Sequence, residues 1–217
     1  DLLKNDKDVV LTAIIKDVEA LKYAAEVLKA DKEFVLEAVK QSGDALEYAS
    51  EELKADKEFV LEVVKQNGLA LKGATEELKE DKELVLVAVK NSGCALKYAS
   101  DKFKADKEVV LEAVNQNFYA LEYASPELKN EKEFALIAII NNDSDIHEDE
   151  TLLQDVSEEL KNDIDVVLAA IRKDGRNLKF ASEELKANKD VILAAVNQNG
   201  MALEYAPDKY KADKEVV

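Results

Sequence analysis

The apolar positions of this chain are grouped in short bursts separated by charged residues. Between Asp31 and Lys40, Phe34, Val35, Leu36, Ala38 and Val39 are apolar. At about 100° per residue they spread over roughly 200° of a helix circumference, wider than the stripe of a surface helix. The pattern predicts a helix sandwiched between neighbours. Asp31 is placed to cap its N-terminus, Glu33 and Lys40 suit the two ends of its dipole, and Gly43 is expected to supply a left-handed C-terminal stop. Ala45, Leu46, Tyr48 and Ala49 then predict a second α-helix of about two turns. A polar turn from Ser50 to Lys54 follows, with Leu53 tucked in and Ser50 placed to cap it.

The whole pattern repeats. The segment Asp-Lys-Glu-Phe-Val-Leu-Glu-Ala-Val-Lys at Asp31 returns almost unchanged at Asp56, Asp81 and Asp106, a period of 25 residues. Repeat starts fall at Asp6, Asp31, Asp56, Asp81, Asp106, Glu131, Asp163, Asn188 and Asp213; only the step from Glu131 to Asp163 is longer, by a seven-residue insertion within 143–151. Pro126 and Pro207 fall at the boundary before the polar turn, where a missing backbone N–H is expected to be harmless. Helices this short do not stand alone, because nucleation is costly and one hairpin buries too little apolar surface. Stacking must supply the core. The expectation is an all-α, right-handed α-solenoid of about eight helical-hairpin repeats, forming a single array over 1–217. Neither end resembles a polar capping repeat, so either an excerpt of a longer array or an array that pairs its ends with something else is expected.

The run Leu-Glu-Tyr-Ala-Ser-Glu-Glu-Leu-Lys-Ala-Asp-Lys-Glu-Phe-Val-Leu-Glu-Val-Val-Lys-Gln-Asn-Gly at Leu46 to Gly68 resembles the helical repeat family called domain of unknown function 4116. The resemblance covers essentially the whole chain. It implies tandem arrays in larger proteins of bacteria and protists, some of them regarded as host-directed effectors, and it implies no catalytic or binding residue. The inserted repeat departs from the pattern, with Asp143 where Gly is expected and Asp155 where Tyr is expected.

Composition narrows the chemistry. Forty-seven Asp and Glu against 30 Lys and Arg give a net charge of −17, which repels phosphate backbones and anionic headgroups. Neither nucleic acid nor a membrane is an expected partner; a cationic or neutral protein or peptide is. One Cys makes no internal disulfide, and no apolar run is long enough to span a bilayer, so a soluble chain is expected. The cytoplasm is the expected compartment, with secretion toward a host as the alternative that the family resemblance implies. His147 is the only His, so no His-based dyad, triad or usual zinc site assembles. Cys94 is read as an ordinary thiol and His147 as a solvated loop residue. No enzyme activity and no cofactor are expected. The insertion concentrates acid, and Asp143, Asp145 and Asp149 are candidate oxygen ligands for a divalent cation. The spacing is poor for a calcium loop, since His147 and Glu148 stand where a ligand and a Gly belong.

Positions that vary between repeats are the candidates for recognition, because packing holds the others. The residue after the glycine position reads Glu19, Asp44, Leu69, Cys94, Tyr119, Arg176 and Met201. Four residues on, read as one turn of the same helix, come Tyr23, Tyr48, Gly73, Tyr98, Tyr123, Phe180 and Tyr205. Together they suggest an aromatic ladder with a variable fringe, a groove for a peptide or partner helix. A competing reading packs each Tyr ring against the next repeat. A second variable column on the long helix's polar arc reads Thr12, Glu37, Glu62, Val87, Glu112, Ile137, Ala169 and Ala194, turning apolar near Val87 and Ile137. The expected function is a non-catalytic protein- or peptide-binding scaffold, with an inert spacer as the alternative.

Overall fold

The computed structural model describes residues 2–141, 153–154 and 156–216 and falls into two compact units, Asp1–Ser125 and Pro126–Val217. Every regular element among the described residues is helical. The repeats that start at Asp6 through Asp106 build the first unit, and those at Glu131, Asp163 and Asn188 build the second.

Each repeat has three pieces, seen clearly from Asp31. A ten-residue α-helix, Lys32–Gln41, is capped by the Asp31 carboxylate, which accepts the Phe34 N–H. Its buried residues are Phe34, Val35, Ala38 and Val39, while Leu36 is only half-buried. The fully covered arc is therefore roughly 140° at about 100° per residue. Next comes a six-residue 3₁₀ helix, Gly43–Tyr48, and then a one-turn α-helix, Glu51–Ala55, whose N-terminus Ser50 caps through the Leu53 N–H. The expected second α-helix is thus a 3₁₀ helix, and the expected polar turn is itself helical. At three residues per turn, Gly43, Leu46 and Ala49 fall on one line and all three are buried, which explains the tighter winding.

Glycine has a different role from the one expected. No glycine has a positive φ, and Ser42, which ends the long helix, is extended at φ −156. The glycine is instead where the next repeat comes closest. A Cβ on Gly68 would lie 2.2 Å from the Ala88 carbonyl oxygen, and one on Gly93 or Gly175 would lie 2.3 Å from the equivalent carbonyl. No side chain fits there. The first unit ends with the repeat that carries Phe118 at this position.

The same contact joins main chain to side chain. Asn91 accepts the Gly68 N–H at 2.7 Å through its side-chain oxygen, and its NH₂ donates to the Lys65 carbonyl at 2.9 Å. Gln116 accepts the Gly93 N–H at 2.7 Å, and Gln198 accepts that of Gly175 while donating to the Lys173 carbonyl at 3.2 Å. One amide thereby satisfies a donor and an orphan carbonyl at the C-terminal end of the preceding long helix. In the second unit Lys173 stands where other repeats have the amide, and its ammonium donates to the Ile140 carbonyl at 2.9 Å.

A second thread runs through the short helices. The Ser50 N–H donates to the Lys29 carbonyl at 2.9 Å, Thr75 to Lys54 at 3.2 Å, Ser125 to Lys104 at 2.8 Å and Ser182 to Lys161 at 2.9 Å. Pro126 leaves the Ser125 donor intact. Pro207 occupies the donor position itself and has no N–H to give, so its placement is not harmless as the sequence suggested.

The third thread is electrostatic. A Lys that follows the capping residue reaches the capping Asp of the next repeat: Lys7 to Asp31 at 2.6 Å, Lys57 to Asp81 at 2.7 Å, Lys82 to Asp106 at 2.8 Å and Lys132 to Asp163 at 2.9 Å. The Lys57 bond, aided by the Leu84 N–H and opposed by burial, holds the Asp81 carboxyl below its ordinary value of 3.8. Asp31 is lowered in the same way by Lys7 and the Phe34 N–H.

Two predictions follow from these contacts. Gly68→Ala should cost about 1–3 kcal/mol in urea unfolding, the usual penalty of overpacking. Gly200→Ala should be neutral or slightly stabilising, since nothing lies within 4 Å of a Cβ there. Equal effects of the two would refute the close-approach role. A carboxyl lowered in the folded state contributes stability that is present above 3.8 and is lost as pH falls through the lower folded value. Asp81→Asn keeps a capping acceptor, as Asn188 does here at 3.0 Å from the Asp190 N–H, but loses the Lys57 pair. The variant should melt earlier than the parent at pH 7 and lose less of its melting temperature on acidification. An identical acid profile would remove the ladder from the account.

Candidate functional site

The two surfaces marked out by sequence variation are the outer face of the 3₁₀ helices and the outer arc of the long helices. On the 3₁₀ helix, residues three apart align, not four. The variable residue therefore stands above the charged residue three positions on, as the 2.9 Å pair of Glu19 with Lys22 shows. The Tyr lies one face away, in line with the buried alanines Ala45, Ala95, Ala120 and Ala202. The expected ladder with a fringe on one helical face is corrected in that respect: ring and fringe occupy different faces.

Tyr48, Tyr98, Tyr123 and Tyr205 are half-buried, and Tyr23 is 64% exposed. Burial pushes the Tyr48 phenol up, with Glu19 and Glu47 adding to it and Lys22 and Lys72 opposing. The Tyr123 phenol is raised by burial, then by Glu122 and by Cys94. The Lys97 ammonium stands 5.9 Å from the Tyr98 ring and 5.8 Å from the Tyr123 ring, within cation–π range of both. The column is broken at Gly73, where a Cβ would meet the Glu47 nitrogen at 2.6 Å. There Lys72 crosses to the preceding repeat and pairs with Asp44 at 3.1 Å and Glu47 at 2.6 Å.

The fringe residues differ in how they are held. Met201 is 68% exposed and Leu69 38% exposed, whereas Tyr119 is half-buried with its ring 4.2 Å from that of Phe118. Arg176 turns onto the buried Asp174, its Nε and Nη2 each 2.7 Å from the same carboxylate oxygen. Cys94 is half-buried, and burial pushes its thiol up, with Glu122 adding and Lys97 opposing. That disfavours the thiolate, the reactive form.

On the long helices, Val87 and Ile137 are half-buried on the outward arc, Val87 in the first unit and Ile137 in the second. Ile140, which the sequence reading passed over, is 59% exposed one turn further along the Ile137 helix. Its column reads Ile15, Lys40, Lys65, Lys90 and Asn115 in earlier repeats, Ile15 being equally exposed, so the departures from charge were visible. Leu136, Ile140, Asp165, Leu168, Ala169, Arg172 and Lys173 enclose a groove of about 380 Å³ between the helices Lys132–Asn141 and Ile164–Lys173. Asp143, Asp145, Asp149 and His147 lie outside the described residues; among the described residues no group of three or more His, Cys, Asp or Glu is arranged to hold a metal ion. No helix among them is long and apolar enough to cross a membrane.

The raised phenols give a direct check of ring burial. Tyr48→Phe and Tyr123→Phe should each remove, from an ultraviolet titration, a phenol that ionises above 10.0. Loss of a component ionising at or below that value would mean that the rings are solvated.

Comparison with known proteins agrees with the repeat register. The family described as Domain of unknown function (DUF4116) matches residues 6–54, 56–104, 106–147, 146–186 and 188–217. Its full matches each span two of the 25-residue repeats, and four of the five begin at a capping residue, Asp6, Asp56, Asp106 or Asn188. No curated protein and no solved structure matches the chain. With five tandem matches running from Asp6 to Val217, the chain belongs to the DUF4116 family of helical repeats.

Proposed function

We propose that this chain is a non-catalytic scaffold that binds a protein or peptide through the outer faces of its repeats. The observation that carries this reading is the exposure of apolar side chains in columns where other repeats carry charge. Met201 and Leu69 stand in the column of Glu19 and Asp44, and Ile140 stands in the column of Lys40, Lys65 and Lys90. A solvated face gains nothing from them, and apolar groups that gather into an exposed patch rimmed by charge mark interaction surfaces. The half-buried Tyr rings favour the second reading, an inert spacer, because they serve stacking between repeats.

The test is a pull-down with the full chain against a variant carrying Leu69→Asp, Met201→Asp and Ile140→Lys. Each substitution installs a residue type that the same column already carries, at Asp44 and Lys40, so folding is expected to persist and is checked by circular dichroism. The scaffold reading expects specific partners to be lost. Equal recovery by both proteins would favour the spacer.

A further inference from the structure

We infer that the groove between Lys132–Asn141 and Ile164–Lys173 receives an acidic amphipathic helix of a partner protein, its apolar side chains on Leu136 and Ile140 and a carboxylate on Arg172. The inference rests on the binding reading above and names the partner's chemistry. Leu136, Leu168 and Ala169 form a half-buried floor, and Ile140 rises as an exposed wall. The Asp31 repeat has a different surface at the positions of Ile137 and Ile140, where Glu37 and Lys40 pair at 2.7 Å. The isoleucines stand on the outward arc where the Asp31 repeat has an ion pair, Ile137 half-buried and Ile140 exposed.

The charged groups at the groove are mostly committed. Asp165 pairs with Lys132 at 2.5 Å, and the Lys173 ammonium donates to the Ile140 carbonyl at 2.9 Å. Arg172 is exposed and makes no ion pair among the described residues. Of the 30 cationic side chains only Arg172 and Arg176 are arginines, and Arg176 is already engaged with Asp174. A guanidinium presents a planar fork that matches a carboxylate in two bonds, which lysine does not. An acidic partner departs from the cationic or neutral one that the net charge of −17 suggests; the groove's own carboxylate, Asp165, is paired with Lys132, and charges beyond about 8 Å are screened at physiological ionic strength. The flanking helices have ten residues each, about 15 Å, enough for roughly three turns of a partner helix anchored at i, i+4 and i+7.

The test uses the full chain and a fluorescein-labelled synthetic helix of about 14 residues, with Leu at those anchor positions and Glu along one edge; a control peptide carries Lys in place of Glu. Anisotropy should show saturable binding of the acidic peptide, about tenfold tighter than that of the control. Arg172→Glu should abolish the preference. Ile137→Glu with Ile140→Lys recreates the Glu37–Lys40 pair, so it should keep the fold and abolish binding of both peptides. Equal affinity for the two peptides, or unchanged binding by the Ile137→Glu, Ile140→Lys variant, overturns the inference. So does binding that appears only after deletion of 143–149, which would assign the groove to the chain's own insertion. A pull-down difference without peptide preference refutes the partner's acidity alone; no pull-down difference refutes the scaffold reading itself.

Discussion

A helix of ten residues has most of its end groups unpaired, and the next repeat pairs them. Four N-terminal N–H groups and four C-terminal carbonyls are a large share of so short an element, and a helix of ten residues is marginal on its own. The chain meets the N-terminal part locally, with the capping Asp. The C-terminal part is met from outside, by an amide such as Asn91 that reaches back to the Gly68 N–H and the Lys65 carbonyl. This bond requires close backbone approach, and close approach requires glycine. The Gln or Asn, the Asn or Ser and the Gly that close the long helices of the Asp31, Asp56, Asp81 and Asn188 repeats thus form one device with one purpose.

Changes within the chain respect that coupling. Where the cap is Asp, the preceding repeat offers Lys; where the cap is Asn188, the preceding repeat has Ile164 instead. An uncharged cap has no use for an ammonium, and the lysine is absent. Lys173 in place of the amide keeps the bond to the preceding helix's carbonyl while giving up acceptance of an N–H. The capping residue and the first-turn acid supply 17 of the 47 carboxylates, since they recur in nearly every repeat.

What was legible in the sequence was what depends on neighbours within a turn. The period, the long helix, its cap and the Ser cap of the short helix all follow from local spacing. The 3₁₀ helix did not, because over six residues a period of 3.0 and one of 3.6 differ little; the spacing of Gly43, Leu46 and Ala49 held the signal once burial was known. The same misreading placed Tyr48 and Asp44 on one face. Gly43 and Pro207 were read by their usual local roles, but their partners lie a repeat away, Gly43 against Asn67 and Ala70 and the Pro207 position against a Lys carbonyl. A sequence shows that these positions are special without showing what approaches them.

The outer arc of the long helix is where this architecture leaves freedom. Capping, amide contacts and core residues use the ends and the inner arc, so the columns of Glu37 and Lys40 carry no obligation to the fold. The Lys40 column holds a charged or polar residue in six of eight repeats and the Glu37 column in four, which costs nothing in water and adds little through exposed pairs. Ile137 and Ile140 depart from that default on the same helix, one turn apart, and Ile140 lines a groove with Arg172 of the next repeat. Exposed isoleucine offers the folded chain no stacking energy there and lowers its solubility. An exposed Ile140 beside an uncommitted guanidinium is what a surface shaped by an external contact would carry, and its exposure leaves stacking no part in it.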